Sequence, residues 1–234
     1  MINQIRISGY LLAACASLTV TMAHAVDDSK DRGKSVSDAE FMQAVKESFL
    51  TENPNDFKRF QDPTLTTCNQ TQDQPSPKQA SEILQRERSS IQLPKNGQYM
   101  GDWKQGKIWV EGAHGGRIGF PGFADADHPS KPNGANCYAC HAVDPNFPQN
   151  GNMGPSLTNY GKLRGQGAAI VKYTYEKIYN AKSFVPCSLM PRYGAGEGHL
   201  LTAEQVADIT AFLLHPDSPV NNPKQETVAE AAHH

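Results

Sequence analysis

Beyond its first 25 residues this 234-residue chain has no apolar run long enough to cross a bilayer as a helix, which takes about 20 residues. It has no cluster of lysine and arginine, which removes the usual reason to expect nucleic acid as a partner. Phosphate-loop and hydrolase signatures are also missing: neither a Gly-x-x-x-x-Gly-Lys-Ser/Thr loop nor a Gly-x-Ser-x-Gly elbow occurs. Gly165-Gln166-Gly167-Ala168-Ala169-Ile170 starts like a dinucleotide loop, but no strand precedes it and no Gly or Ala closes it. Internal repeats are absent, and no paired carboxylates mark a cleft. Apolar residues make up only 38% of the chain, while 19 glycines and 16 prolines favour loops. Such a chain reads as loop-rich, with a bound group supplying much of its core.

Against that background, Cys137-Tyr138-Ala139-Cys140-His141 stands out. Two cysteines three apart, followed at once by histidine, are what covalent attachment of a c-type haem requires. Each thiol adds across a haem vinyl group as a thioether, and His141 offers its imidazole to the iron as proximal ligand. The competing readings are a redox dithiol and half of a zinc site. The first needs a thioredoxin-like βαβ pattern and the second another Cys/His pair, and neither is visible. Downstream, Gly151-Asn152-Met153-Gly154-Pro155-Ser156-Leu157 carries a Gly-x-x-Gly-Pro pattern. Pro155 can there accept a bond from the His141 Nδ1–H, fixing the tautomer and raising the basicity of the ligand. A plain turn is the bland alternative.

Residues 1–25 read as a signal peptide, with Arg6 in the n-region, an apolar stretch from Ile7 to Met22 and a small-x-small site at Ala23-His24-Ala25. A rival site, Leu12-Ala13-Ala14-Cys15, is lipobox-like and would leave a lipidated Cys15. The apolar sequence continuing past Cys15 favours the ordinary cut before Val26. Either way the chain is exported. That agrees with haem attachment, which bacteria carry out on the periplasmic side, so a periplasmic location is expected. With Arg6 removed from the 22 basic residues, 21 face 24 acidic ones, a net charge near −3. Of the five cysteines, Cys15 leaves with the signal, and Cys137 and Cys140 take the haem. Cys68 and Cys187 remain in an oxidising compartment, where a disulfide between them is the preferred reading. It would close a loop worth on the order of 4 kcal/mol by chain entropy. Two unpaired thiols, or a redox-active Cys187, are the alternatives.

A six-coordinate iron needs a second ligand opposite His141. Met190, in Leu189-Met190-Pro191-Arg192-Tyr193-Gly194, is the best candidate, because Pro and Gly stiffen that loop before the last helix. Thioether sulfur prefers ferrous iron, so a Met/His pair raises the potential and suits electron transfer. Met153 is only twelve residues from His141, short for crossing to the other face. Met100, His114 and His128 precede the motif and spacing does not exclude them, while His199 and His215, near the last helix, could give bis-His ligation with a lower potential.

The organisation follows from caps and periodicity. Residues 26–97 form an N-terminal extension with two short helices. The first has Ser37 as N-cap, Glu40 at N3 and a Phe41/Val45/Phe49 stripe; the second opens at Ser76-Pro77, with Ala80, Ile83, Leu84 and Ile91 on its apolar side. Both helices need a surface to cover their stripes, either the haem domain or a partner. Between them, residues 54–77 read as an irregular polar stretch. The haem domain spans residues 98–220. Its first part, up to Asn136, is glycine-rich and weakly periodic, with Trp103, Ile108, Trp109 and Phe120 as packing residues. Helices are expected from Gly167 to about Asn180 and after Thr202, where Gln205 completes a capping box and His215-Pro216 ends the helix. Residues 221–234 form a polar tail whose His233-His234 pair is a weak metal signal.

Taken together, the haem motif, the Gly-Asn-Met-Gly-Pro-Ser-Leu loop, the Cys-Ser-Leu-Met-Pro-Arg-Tyr-Gly segment and the Leu-Thr-Ala-Glu-Gln-Val helix resemble class I cytochromes c. More narrowly, Asn159-Tyr160-Gly161 and the ending His215-Pro216-Asp217-Ser218-Pro219-Val220 are similar to the SoxX family, the monohaem subunits of the SoxAX cytochromes of bacterial thiosulfate oxidation. The resemblance covers about Gln98 to Val220. It implies a mostly α, class I cytochrome c fold and one covalently bound haem c on Cys137 and Cys140, with His141 and Met190 as axial ligands. It also implies a heterodimeric L-cysteine S-thiosulfotransferase whose catalytic centre lies in a SoxA-like haem subunit. Thiosulfate would be joined there to a SoxYZ-like carrier cysteine, and this chain would pass the electrons to a small acceptor cytochrome c. The extension is not part of a minimal SoxX pattern and is expected to clasp the partner.

Overall fold

Side-chain caps at Asp62, Ser76, Asp102 and Thr202 set where four of the helices of this computed structural model begin. The structure describes residues 36–48, 57–112, 134–195 and 200–222. The chain divides after Ser37, and every element below belongs to the unit Asp38–His234. Helix α1 is Asp38–Ser48, and its stripe buries Val45 while Phe41 meets the Phe60 ring edge-on at 6.0 Å. Helix α2, Pro63–Gln70, starts where the Asp62 carboxylate accepts from the Thr64 and Leu65 amides, with Pro63 in the first turn. Helix α3, Pro77–Ser89, opens on the expected Ser76 cap, and Gln79 completes a capping box. Helix α2 is thus an element of the extension that the sequence reading did not name. The stretch read as irregular hides α2 because Thr, Asn and Gln give it no apolar stripe, and its start depends on a single capping aspartate.

Helix α4, Trp103–Glu111, runs through the segment read as weakly periodic. Its inward positions are Gly106 and Val110, so a glycine stands where the sequence pattern would demand a large apolar residue. The reason is a close helix crossing. A Cβ at Gly106 would lie 2.1 Å from the Asp208 carbonyl oxygen and 2.8 Å from Phe212 Cβ. Asp208 and Phe212 belong to the last helix. Between the two come α5 (Tyr160–Arg164) and α6 (Ala168–Tyr179), and the last helix is α7 (Ala203–Leu214). Helix α7 begins on the predicted Thr202/Gln205 capping box and buries eight of its twelve residues, packed by α4, α5 and α6. The Asp208 carboxylate accepts from the Asp102 amide at 2.8 Å and from Trp109 Nε1 at 3.2 Å, which locks the crossing.

The fold is mostly α, and no strand occurs among the described residues. Asn221, expected to open a free polar tail, is buried. Its Oδ1 accepts from the Gly161 amide at 2.7 Å and its Nδ2 donates to the Leu213 and His215 carbonyls, fastening α5 to the end of α7. The extension spends its buried face on its own chain. Asn180 Nδ2 donates to Glu87 Oε2 at 2.8 Å, Arg88 Nε to the Ser183 carbonyl at 3.0 Å, and Tyr175 Oη to the Gln92 carbonyl at 2.6 Å. The signal segment with Cys15, Phe49, Phe120, His114, His128, His199 and the His233-His234 pair lie outside the described residues.

Candidate haem site

The haem motif forms a tight turn hung from the end of α4. The Ala135 amide donates to the Trp109 carbonyl at 2.8 Å and the Asn136 amide to the Gly112 carbonyl at 2.9 Å. Asn136 takes the left-handed conformation (φ 44°), a region that Asn tolerates better than most residues. The chain then enters a 3-10 turn over Cys137–Ala139, and the Cys140 and His141 amides both donate to the Cys137 carbonyl. One turn thus carries both thiols, which are free and half-buried. Burial, with Cys140 adding to it, pushes the Cys137 thiol up to about 12. A dithiol redox centre needs the opposite, a thiol lowered toward the thiolate. Among the described residues Cys137 and Cys140 fall in no group of three or more His, Cys, Asp or Glu side chains close enough to share a metal, as a zinc site would need.

The Gly-Pro loop runs back along the motif. Gly151, Gly154 and Leu157 amides donate to the Tyr138, Cys140 and Ala142 carbonyls at 2.7–2.8 Å. This brings the Pro155 carbonyl to 2.7 Å from His141 Nδ1. A carbonyl can only accept, so the proton sits on Nδ1 and the Nε2 lone pair is left for a metal. Gly154 lies flat against the imidazole: a Cβ there would stand 2.2 Å from His141 Cε1 and 2.5 Å from Nδ1. The role of Gly154 as a cradle was legible only as part of a motif, since nothing local in the sequence says which ring it faces.

Met190 arrives on the segment between α6 and α7. It packs against the same core cluster as Cys137, and Ser188 Oγ accepts from its amide at 3.3 Å. Tyr193 ties this segment to the motif by donating its hydroxyl to the Ala135 carbonyl at 3.0 Å. Burial, then the nearby Cys137 and Cys140, raises the Tyr193 hydroxyl above its usual range. Cys187 is disulfide-bonded to Cys68. Arg192 Nη2 reaches Asp62 Oδ2 at 2.6 Å, and its Nη1 reaches Glu87 Oε2 at 3.1 Å. Asp62, Glu87 and Arg192 were not singled out in the sequence. The only available signal was that Glu87 lies one helical turn past Ile83, on the apolar stripe.

The other candidate ligands are placed differently. Met153 is 73% exposed and adjoins Gly154, on the loop that already flanks the His141 ring. His215 accepts from the Asp217 amide through Nδ1 and stacks on Trp103 at 6.0 Å, which makes it the terminus of α7. Met100 is half-buried just before α4. The residues present fit a haem c: Cys137 and Cys140 could hold it by thioethers, His141 through Nε2 and Met190 through its sulfur.

The cytochrome c family model matches residues 133–216, which span the motif, the Gly-Pro loop, Met190 and α7. An uncharacterized lipoprotein of Aquifex aeolicus (strain VF5) is 36% identical over 164 residues, covering 69% of this chain and 73% of that protein. An alignment of that length cannot fit after residue 133, so the kinship extends into the preceding part of the chain. A cytochrome c domain implies haem c and electron transfer. On this match and this kinship, the chain belongs to the cytochrome c family.

Proposed function

We propose that this chain carries one haem c on Cys137 and Cys140, with His141 and Met190 as axial ligands, and serves as the electron-transfer subunit of a SoxAX-type L-cysteine S-thiosulfotransferase. The observation that carries the haem reading is the contact from His141 Nδ1 to the Pro155 carbonyl, because it leaves Nε2 as a bare ligand. When bound, the haem supplies one-electron chemistry, at a potential raised by a thioether ligand. The chain's own residues then hold and orient. Pro155 and Gly154 set the imidazole, and Met190 would supply the second ligand, which would leave no coordination position for a substrate. Catalysis belongs to a SoxA-like partner, thiosulfate is joined there to a SoxYZ-like carrier cysteine, and the electrons leave through a small cytochrome c in the periplasm. The narrower reading rests on the likeness of Gly154-Pro155-Ser156-Leu157, Asn159-Tyr160-Gly161 and Cys187–Gly194 to SoxX chains. In the test, the holoprotein is purified with its partner and given thiosulfate and carrier. This haem is then expected to be reduced. Turnover with this haem left oxidised rules the role out.

A second reading is a stand-alone cytochrome shuttle held at a membrane surface. Two observations favour it. The extension packs on its own haem segment, through the Cys68–Cys187 bond and Asn180–Glu87, rather than being kept for a partner. The Aquifex relative is described as a lipoprotein, and Leu12-Ala13-Ala14-Cys15 offers this chain a lipidation site. Size exclusion of native extract separates the readings. A heteromer supports the subunit, while a lone monomer that leaves the membrane fraction on Cys15→Ser supports the shuttle.

A further inference from the structure

We infer that the N-terminal extension is a clamp on the methionine loop, so that Asp62, Cys68 and Glu87 act as positioning residues for Met190. This rests on the reading of Met190 as an axial ligand. The loop is gripped on both sides of that residue. Three residues before it, Cys187 is bonded to Cys68 on α2. Two residues after it, Arg192 reaches Asp62 at the start of α2 and Glu87 on α3. The second grip is shielded from water: Arg192, Asp62 and Glu87 are 15%, 18% and 3% exposed. Charges so placed hold geometry well, since releasing one would strand the other in a poor solvent. Glu87 is itself fixed by Thr64 Oγ1 and by Asn180 Nδ2, so it forms a rigid abutment rather than a mobile surface charge.

The chemistry gives the clamp its purpose. A thioether is a weak, neutral ligand, and its occupancy of iron depends on how little freedom the loop has when it dissociates. Leu189, next to Met190, is 81% exposed, so this stretch of the loop lies at the surface, and Tyr193 is its tie to the haem motif from the haem domain's side. Anchoring it on two helices of the extension limits how far the sulfur can stray, and so keeps the sixth position shut.

The test uses ferric holoprotein and free imidazole, which can bind only when the methionine has left. Its apparent affinity therefore reports the fraction of open molecules. The variants are Asp62→Asn, Cys68→Ser/Cys187→Ser and their combination. Asp62→Asn keeps the Oδ1 that caps α2 but removes the charge facing Arg192. Each grip released should tighten imidazole binding, with a gain of about tenfold or more for the combination, and should weaken the far-red thioether-to-iron band. Lys172→Ala, which loses only a surface ion pair to Glu176 on α6, should leave both readouts unchanged. Wild-type affinity and band in a folded combined variant overturn the clamp; if that variant does not fold, Asp62→Asn alone decides in the same way. A wild-type protein without the far-red band, or one that keeps it in Met190→Ala, instead overturns the ligand reading and the clamp with it.

Discussion

An alanine at position 154 would place its methyl carbon 2.2 Å from His141 Cε1, a separation that packed atoms do not tolerate. The ring must turn away, and the bond from Nδ1 to the Pro155 carbonyl must lengthen with it. Gly154→Ala is therefore expected to cost about 1–3 kcal/mol, the usual penalty of overpacking. The ferric low-spin signal, which follows the orientation of the axial imidazole, should shift. Urea unfolding of the holoprotein and its electron paramagnetic resonance spectrum check this; an unchanged spectrum would mean that the ring is not held by the loop. At this scale much of the site was legible. Cys137, Cys140, His141 and Pro155 depend on spacing within twenty residues, and the structure brings them to one turn and one loop. Arg192 and Glu87 were not legible, because a charge that ends in a buried pair looks in the sequence like any surface charge.

At the scale of elements, the crossing of α4 and α7 is the joint that carries the haem motif. The motif turn hangs from the Trp109 and Gly112 carbonyls at the end of α4. The joint is close because Gly106 has no side chain: the atom that a Cβ would strike, the Asp208 carbonyl oxygen, is backbone and cannot rotate aside. Alanine favours a helix over glycine by about 1 kcal/mol. Overpacking opposes that with about 1–3 kcal/mol. Gly106→Ala should thus be net destabilising, visible as a lower urea midpoint, and a higher midpoint would show that the helices can separate at no cost. This crossing explains why α4 escaped the sequence reading. Periodicity counts large apolar residues, and a helix selected for nearness shows a gap where its most important contact lies. Helix α3 was legible from Pro77 in its first turn after Ser76, and α7 from the Thr202/Gln205 capping box, since both signals are completed within four residues.

For the whole molecule, the Cys68–Cys187 disulfide joins the extension to the haem segment across a sequence separation of 119. The chain-entropy model assigns a loop of that size about 4–5 kcal/mol. Cys68→Ser/Cys187→Ser should lower the unfolding free energy by roughly that amount. Because Asp38–His234 is one compact unit, wild type should unfold in a single transition, with haem absorbance and helix signal falling together. If the extension melts first in the oxidised protein, the two parts are not one cooperative body. Elimination among five cysteines made this pair the preferred one but left two free thiols or a redox-active Cys187 open, and the structure decided for the bond. The sequence by itself determined the haem-motif turn, the histidine-supporting loop and the starts of α3 and α7, because each is built by residues close along the chain. Only the tertiary structure decided that Gly106 is a contact rather than a break, that Asn221 is a clasp rather than a tail, and that Glu87 goes inside to meet Arg192. Those outcomes depend on which distant surfaces meet, and periodicity in one segment carries no record of the segment it will face.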